Sequence, residues 1–184
     1  SLAIRIYRPD DPPRALIVYL HGGGWVIGDL ESHDPFCRQL TRETEAMILA
    51  VDYRLAPEHP YPAAAEDAIA AVRWALAHKE ELGAADLKVF VAGDSAGANL
   101  STAVARELAG DPGSELAGQC LIYPATRFHF PHTESHLDNA TGYGLTLSLM
   151  KWFWSCYTPN AGKTLSHQEA PMAVFVDAPV PAGM

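Results

Sequence analysis

The chain has 184 residues, of which 48% are hydrophobic and 19% charged, and its formal net charge is −9. This length and balance predict one globular catalytic domain over residues 1–184 and exclude a disordered or fibrous protein. The negative charge repels phosphate backbones and no Lys/Arg cluster offers a local exception, so nucleic acid is not an expected partner. No run approaches the roughly 18 apolar residues of a membrane span, and the N-terminus lacks a signal-peptide pattern.

The three cysteines, Cys37, Cys120 and Cys156, are an odd number without CxxC or His-rich spacing. They predict neither a disulfide framework nor a zinc site. We expect buried thiols in a reducing compartment, and therefore a cytoplasmic protein.

Several segments have the pattern of β-strands. Apolar residues at positions 2, 4 and 6 alternate with others, and a Pro-rich turn follows at 9–13, so a strand pair is expected to open the chain. Four later runs, at 16–20, 47–51, 89–92 and 120–123, are apolar on both faces. Such runs are typical of the interior of a mostly parallel sheet.

Helical patterns lie between these runs. Asp34 and Pro35 can serve as N-cap and first residue of a helix that ends near Glu43. Pro62 opens a second helix, whose apolar residues recur at spacings of four, three and four, and a third begins at Ser95. Strands that alternate with helices imply βαβ crossovers and a doubly wound α/β fold.

The texture changes near residue 126. Residues 127–139 are polar and rich in histidine, and Leu147, Met150, Trp154 and Tyr157 then recur at helical spacing. This stripe is interpreted as core or interface packing, or as a wall of an acyl pocket, and both can hold together. We assign residues 126–160 as a cap or pocket-wall segment and predict no element for residues 158–184.

The segment Gly93-Asp94-Ser95-Ala96-Gly97 carries the clearest chemical signal. It follows one apolar run and precedes the third predicted helix, the context of a G-x-S-x-G nucleophile elbow. Small neighbours are needed because the serine lies in a strained turn where other Cβ atoms would clash. The N-terminus of the following helix also stabilises negative charge. Ser95 is therefore the predicted nucleophile.

A second motif, His21-Gly22-Gly23-Gly24-Trp25, follows directly on the first apolar run. Glycines let backbone N–H groups face an incoming carbonyl oxygen without obstruction by side chains. Together with the N–H group of Ala96, this turn is predicted to form an oxyanion hole. The alternatives are a glycine-rich turn without catalytic duty and a phosphate cradle, but neither the G-x-G-x-x-G nor the Walker pattern is present.

These two motifs and the segment Asp52-Tyr53-Arg54-Leu55-Ala56-Pro57-Glu58 resemble the hormone-sensitive-lipase-like family of bacterial esterases, which have the α/β-hydrolase fold. The likeness covers nearly the whole chain, including Trp152-Phe153-Trp154. It assigns the nucleophile to Ser95 and the oxyanion donors to the N–H groups of three residues: Gly23, Gly24 and Ala96. The positions that support these motifs are His21, Gly22, Gly93, Asp94 and Gly97.

The resemblance also implies a mechanism and a role for residues 52–58. Ser95 would attack the carbonyl of a short-chain ester, a histidine would take its proton, and water would hydrolyse the acyl-enzyme. No metal or organic cofactor is implied. Residues 52–58 would form a structural turn beside the site, with Arg54 and Glu58 in a buried polar network.

The triad is incomplete within this chain. In α/β-hydrolases the acid and then the histidine follow the serine, and the resemblance places both beyond residue 184, after a stretch similar to residues 169–181. The N-terminal cap segment of the family is expected to be missing too. Absent strands would leave an open sheet edge, so we expect a second chain or another copy of this chain to cover it.

Residues inside the chain are an alternative source of the acid and base. The candidates after the serine are Asp111, Asp138, Asp177, His129, His132, His136 and His167. The spacings of three and four among His129, His132 and His136 also suggest a metal site. Because no carboxylate is in register with them, we interpret them as solvated loop histidines and predict no metal.

Two further hypotheses compete with the esterase. One is a binding module that keeps the fold and holds a small ligand in the pocket. Retention of Ser95 and the three glycines favours the enzyme, because a binder needs neither. The other is an interaction protein that uses the exposed edge, which predicts self-association without hydrolysis.

Overall fold

The computed structural model describes residues 1–111, 114–129 and 131–160, and a five-stranded sheet lies at the centre of this part of the chain. Its order is β1-β3-β2-β4-β5, with β1 antiparallel to β3 and all other neighbours parallel. The strands are β1 (Ala3–Tyr7), β2 (Leu16–Leu20), β3 (Met47–Asp52), β4 (Val89–Asp94) and β5 (Leu116–Ile122). The expected pair of opening strands is wrong in its partner: β3 and β4 occupy both sides of β2, so β1 pairs with β3.

Three helices connect the parallel strands, as the alternation of patterns predicts. The helices are α1 (Asp34–Thr44), α2 (Ala63–Ala77), α3 (Ala96–Leu108), α4 (Glu134–Asp138) and α5 (Leu147–Tyr157). The start of α1 differs by one residue from the prediction, because His33 precedes the helix and Asp34 is its first residue. Pro35 still lies in the first turn, where its missing N–H group leaves no hydrogen bond unmade.

The sheet is covered on two faces. Residues of β2, β3 and β4 pack with α2 and α3 in one cluster that includes Leu16, Leu49 and Val91. The alternate residues of the same strands form a second cluster around Cys37 of α1, which includes Tyr19 and Ile48. A parallel sheet with helices on both faces is the doubly wound α/β architecture that the sequence predicts.

Strand β5 departs from the prediction of a buried interior strand. It begins at Leu116, before the predicted run, and most of its residues are exposed or half-buried. Its apolar run resembles those of the interior strands, but within the described residues only β4 pairs with it. In the described part of the chain β5 is therefore an edge strand.

The prediction of three buried thiols holds for one cysteine. Cys37 is fully buried, and burial raises the pKa of its thiol to about 12. Cys156 is half-buried, whereas Cys120 is exposed because it lies on β5.

The segment after β5 contains the predicted His-rich stretch and the aromatic stripe. The aromatic stripe forms α5, and Trp154 and Tyr157 are buried in the core. Among the described residues, no helix is long and apolar enough to cross a membrane. The stretch at 169–181, and with it His167 and Asp177, lies outside the described residues.

Candidate active site

Ser95 lies in the turn between β4 and α3, as a nucleophile elbow requires. Its backbone has φ 52° and ψ −113°, a conformation that side-chain-bearing residues rarely adopt. The turn is held by the N–H group of Ser95, which donates to the carbonyl oxygen of Ile122 at 2.9 Å. The carbonyl oxygen of Ser95 accepts from the N–H group of Ala125 at 3.2 Å. A strained residue held on both sides by hydrogen bonds is typical of a functional turn.

The small residues of the elbow allow it to touch the end of β2. A Cβ atom on Gly97 would lie 1.9 Å from the carbonyl oxygen of Leu20, and one on Gly93 would lie 2.5 Å from the same oxygen. Both distances are far below van der Waals contact. The elbow therefore packs against β2 through its backbone, which places Ser95 beside the residues that follow β2.

The glycine turn after β2 leaves backbone donors available. Gly23 and Gly24 have φ values of 121° and 60°, and the carbonyl oxygen of Gly23 accepts from Val26 and Ile27 at 3.1 and 3.0 Å. Within the described residues, no acceptor is found for the N–H groups of Gly23 and Gly24. Ala96 is the first residue of α3, so its N–H group also lacks an acceptor inside the helix.

Two of the three predicted oxyanion donors share a cavity with the serine. Ser95, Gly24 and Ala96 line a cavity of about 320 Å³. Gly23 does not line it and lies one residue back along the turn. The geometry agrees with the predicted oxyanion hole, whose catalytic role stays a prediction.

The cavity walls come mainly from the segment after β5. They combine aromatic and aliphatic side chains with one arginine and one histidine: Trp25, Tyr123, Arg127, His136, Leu145, Met150, Phe153 and Trp154. An apolar pocket with few polar groups is the usual form of a small-molecule site. Helix α5 contributes both to this wall and to the core, as its stripe suggests.

Asp94 connects the elbow to the glycine turn. Its Oδ1 accepts from the N–H group of Gly22 at 2.9 Å and from the hydroxyl of Tyr19 at 2.7 Å. The imidazole Nε2 of His33 lies 3.6 Å from the same oxygen. Burial raises the pKa of Asp94, but the nearby imidazole of His33 and the hydrogen bond from Tyr19 outweigh it and hold the pKa below its usual value.

Sequence reasoning did not identify Tyr19 and His33 as part of the site. Tyr19 is in an apolar run, where its ring reads as core, and its hydroxyl reaches Asp94 because β2 and β4 are adjacent in register. A tyrosine near the carboxyl end of a buried strand was the available signal, since a buried hydroxyl needs a partner.

We expect Asp94→Asn to destabilise the protein by about 1–2 kcal/mol at pH 7, because two hydrogen bonds lose their charged acceptor. Since the folded pKa of Asp94 is depressed, its contribution is present above the unfolded pKa and is lost as pH falls through the folded pKa. Urea unfolding between pH 7 and pH 3 should therefore show the two proteins converging in acid. The control is the exposed Asp86→Asn; a constant gap between wild type and Asp94→Asn at every pH would contradict the prediction.

His21, the residue before the glycine turn, is buried and held by Tyr53. It is only 2% exposed, and its carbonyl oxygen accepts from the hydroxyl of Tyr53 at 2.6 Å. The two rings stack with centroids 4.3 Å apart. Burial lowers the pKa of His21 and raises the pKa of Tyr53, so both groups remain uncharged at neutral pH. His21 therefore has a structural environment, in agreement with its place as a supporting motif residue.

The predicted buried polar network of Arg54 and Glu58 is wrong. Glu58 is exposed, and Arg54 is exposed and binds Asp67 at the surface, with nitrogen-oxygen distances of 2.8 and 2.9 Å. The buried residue of this segment is Tyr53. The side chains at 54 and 58 point away from the core, and the sequence pattern of the turn does not distinguish the two directions.

The candidate bases and acids within the described residues are not bonded to the serine. None of the described His, Asp or Glu side chains forms a hydrogen bond with the hydroxyl of Ser95. His136 lines the same cavity, but its Nδ1 accepts from the backbone N–H group of Thr133 at 3.1 Å. Asp111 pairs with Arg73 at 2.9 Å on the surface.

The three histidines of the 126–160 segment lie near one another. Ring centroids of His129 and His132 are 6.2 Å apart, and those of His132 and His136 are 6.3 Å apart. Burial and the neighbouring positive charge lower the pKa of both His129 and His136. In the part of the chain that the structure describes, no group of three His, Cys, Asp or Glu residues is arranged to hold a metal ion.

Comparison with known proteins identifies the family. Residues 17–178 match the model of the alpha/beta hydrolase fold family. Among curated relatives, carboxylic ester hydrolase LipN of Mycobacterium tuberculosis is 46% identical over 85% of this chain and 43% of its own length. Ethyl acetate hydrolase of Pseudomonas putida is 37% identical over 94% of this chain and 55% of its own length. Bovine hormone-sensitive lipase is 36% identical over 92% of this chain and 22% of its own length.

A solved structure agrees with the sequence relatives. The esterase of Pyrobaculum calidifontis superposes with a TM-score of 0.85 and 40% identity, over 92% of this chain and 56% of that one. The chain belongs to the α/β-hydrolase-fold family, on the branch that contains hormone-sensitive lipase and related esterases. The predicted resemblance and fold class are confirmed. The chain spans about half the length or less of three curated esterases that it matches.

Proposed function

We propose that the protein is a serine carboxylesterase and that this chain carries its nucleophile and oxyanion hole. The observation that carries the proposal is that Ser95, in a strained elbow, lines one cavity with two residues whose N–H groups are available, Gly24 and Ala96. A nucleophile beside preorganised donors is the arrangement that acyl transfer needs. The relatives named as ester hydrolases support the same chemistry.

The proposed reaction has two steps. The oxygen of Ser95 attacks the ester carbonyl carbon as a base takes its proton, and the negative charge of the tetrahedral intermediate is stabilised by N–H donors. The alcohol leaves with a proton from that base, and water then hydrolyses the acyl-enzyme through the same sequence in reverse. Each donor in such a hole is typically worth about 3 kcal/mol of the barrier.

The base and its acid partner are proposed to come from residues beyond position 184. In favour of this, none of the described titratable side chains bonds to the serine hydroxyl, and the chain order in this fold places both partners after the nucleophile. His136 is the nearest alternative by virtue of the shared cavity, but Thr133 engages its ring.

Short acyl chains are the proposed substrates. The cavity beside Ser95 is only about 320 Å³ in volume, and bulky side chains such as Tyr123, Phe153 and Trp154 line it. The name of one relative, ethyl acetate hydrolase, describes an ester of a two-carbon acid. No cofactor is required for this reaction, and the proposed partner is the ester substrate itself.

The test is hydrolysis of p-nitrophenyl esters from acetate to octanoate, with the mass of the intact protein verified. We expect kcat/KM to peak at or below about six carbons, because the bulky side chains that line the cavity restrict the length of the acyl chain. Turnover by the verified 184-residue chain alone would place the base within it or in a second copy. Activity that rises steadily to octanoate would contradict the short-chain proposal.

A non-catalytic binding module is the alternative, and an organophosphonate ester separates the two. An activated Ser95 should form a covalent adduct, seen as a mass increase on the peptide that contains it. A protein that binds p-nitrophenyl butyrate without hydrolysing it, in a form that includes the relatives' C-terminal region, would favour the binding module.

A further inference from the structure

The ring of Phe153 presses on the glycine turn of the candidate oxyanion hole. A Cβ atom on Gly24 would lie 2.2–2.5 Å from three carbons of that ring, nearer than any other atoms. Phe153 is 8% exposed and belongs to α5, which is far from Gly24 along the chain. The absence of a side chain at Gly24 thus leaves room for the ring of Phe153, in addition to allowing the positive φ of the turn.

Helix α5 also packs against Trp25, the next residue of the turn. The ring of Trp25 stacks on that of Tyr157 with centroids 4.4 Å apart and an interplanar angle of 4°, and lies 4.7 Å from the ring of Trp154. The carbonyl oxygen of Tyr157 accepts from the N–H group of Tyr61 at 2.8 Å, which ties the end of α5 to the segment before α2. Helix α5 therefore contacts two consecutive residues of the turn through three aromatic side chains.

The turn needs such support because its backbone is strained. Gly24 and Trp25 have φ values of 60° and 61°, and Trp25 is a bulky residue for which this left-handed conformation is unfavourable. Such conformations persist only when the surroundings over-determine them. The carbonyl oxygens of Gly23 and Trp25 accept hydrogen bonds on either side of Gly24, but within the described residues the N–H group of Gly24 itself has no acceptor. Packing against Phe153 is therefore the contact that acts on Gly24 directly.

We propose that Phe153 is a positioning residue, which acts through Gly24 to hold the oxyanion turn in the wall of the cavity that Ser95 lines. The inference deepens the proposed esterase function and rests on it for its kinetic consequence. Phe153 also lines the cavity, but a role as pocket wall alone would change substrate affinity. A role as general core residue would change the stability of the whole sheet.

The first test measures amide hydrogen exchange in this chain, because that measurement does not depend on activity. The reporters are the N–H groups of residues 26, 27 and 56, which donate to carbonyl oxygens of the turn. In Phe153→Leu we expect these amides to exchange at least about tenfold faster, while β2 and β4 keep their protection, since only the local packing is lost. The control is Ser155→Ala, on the same helix but with an exposed side chain. Unchanged exchange of the three reporter amides in Phe153→Leu would overturn the proposal.

A second variant covers the case in which Phe153→Leu loses protection throughout the sheet. Phe153→Met keeps most of the volume but replaces a rigid ring with a flexible chain. Faster exchange confined to residues 26, 27 and 56 in this variant would support positioning. Exchange that stays unchanged, or rises equally in β2 and β4, would assign Phe153 a general packing role and overturn the proposal.

The kinetic test uses a form of the protein that hydrolyses p-nitrophenyl acetate through Ser95. Acetate carries the smallest acyl group of the series, so changes in pocket volume matter least. We expect Phe153→Leu to lower kcat about tenfold at unchanged KM, since a displaced oxyanion donor acts on the transition state, and Ser155→Ala to match wild type. A change in KM alone would indicate a pocket wall. If no Ser95-dependent hydrolysis exists, the esterase proposal fails while the exchange result still decides the positioning role.

Discussion

Replacing Ser95 by alanine is expected to lower kcat for p-nitrophenyl acetate by at least about 10⁴-fold, because alanine has no oxygen to form the acyl-enzyme. The fold should not change: the serine hydroxyl has no hydrogen-bond partner within the described residues, and alanine keeps the Cβ atom that serine already has at this strained position. Circular dichroism and thermal unfolding of the variant would establish this. The control is Ser155→Ala on α5, whose exposed hydroxyl donates to the carbonyl oxygen of Trp152 at 2.7 Å.

The comparison is made in this chain and in a longer form that includes the C-terminal region of the relatives. Hydrolysis by the longer form that depends on Ser95, with none by the shorter, would agree with a base beyond residue 184. Turnover that survives Ser95→Ala in either form would remove Ser95 as the nucleophile and with it the proposed function.

Gly97→Ala is expected to destabilise the protein by about 3 kcal/mol or more, at or above the upper end for overpacking. The added methyl group would lie 1.9 Å from the carbonyl oxygen of Leu20. The methyl group would be fixed to the backbone of α3, and the oxygen belongs to the backbone of β2. Both residues are buried, so no flexible side chain can move aside to relieve the clash. Urea denaturation of the variant would show a much lower midpoint, or no folded protein at all.

Gly144→Ala is the matched control for that substitution. A Cβ atom at Gly144 would meet nothing within 4 Å, and the residue is exposed. Its effect should stay within about 0.5 kcal/mol, as for other surface substitutions. If Gly97→Ala proved as mild as this control, the elbow would not pack against β2 as closely as the structure has it.

The local motifs were predictable because their chemistry is contained in a few consecutive residues. Gly93 and Gly97 leave the space for a close backbone contact, and Gly23 and Gly24 adopt the positive φ values that glycine favours. Apolar runs and helical spacings likewise identified β2, β3 and β4 and the helices between them, since those patterns follow from burial on one or two faces.

Contacts between distant segments were not predictable from one sequence. The hydrogen bond from Tyr19 to Asp94 depends on strand order, and the packing of Phe153 on Gly24 depends on where α5 docks. The exposure of Cys120 depends on whether a neighbour covers β5. Arg54 shows the same limit, because its pairing with Asp67 is set by the position of α2 rather than by the turn that carries it.

The strand order has a consequence for where the chemistry can lie. From β2 the chain crosses to β3 on one side, then returns past β2 to β4 on the other, so the direction of winding reverses between β2 and β4. At such a topological switch point the loops that leave the two strands diverge and open a crevice at their carboxyl ends. Leu20 is opposite Gly93 in register, so the glycine turn and the elbow emerge side by side at this crevice. A rearrangement that exchanged β2 and β3 would keep every motif and every strand, yet it would separate the two halves of the site.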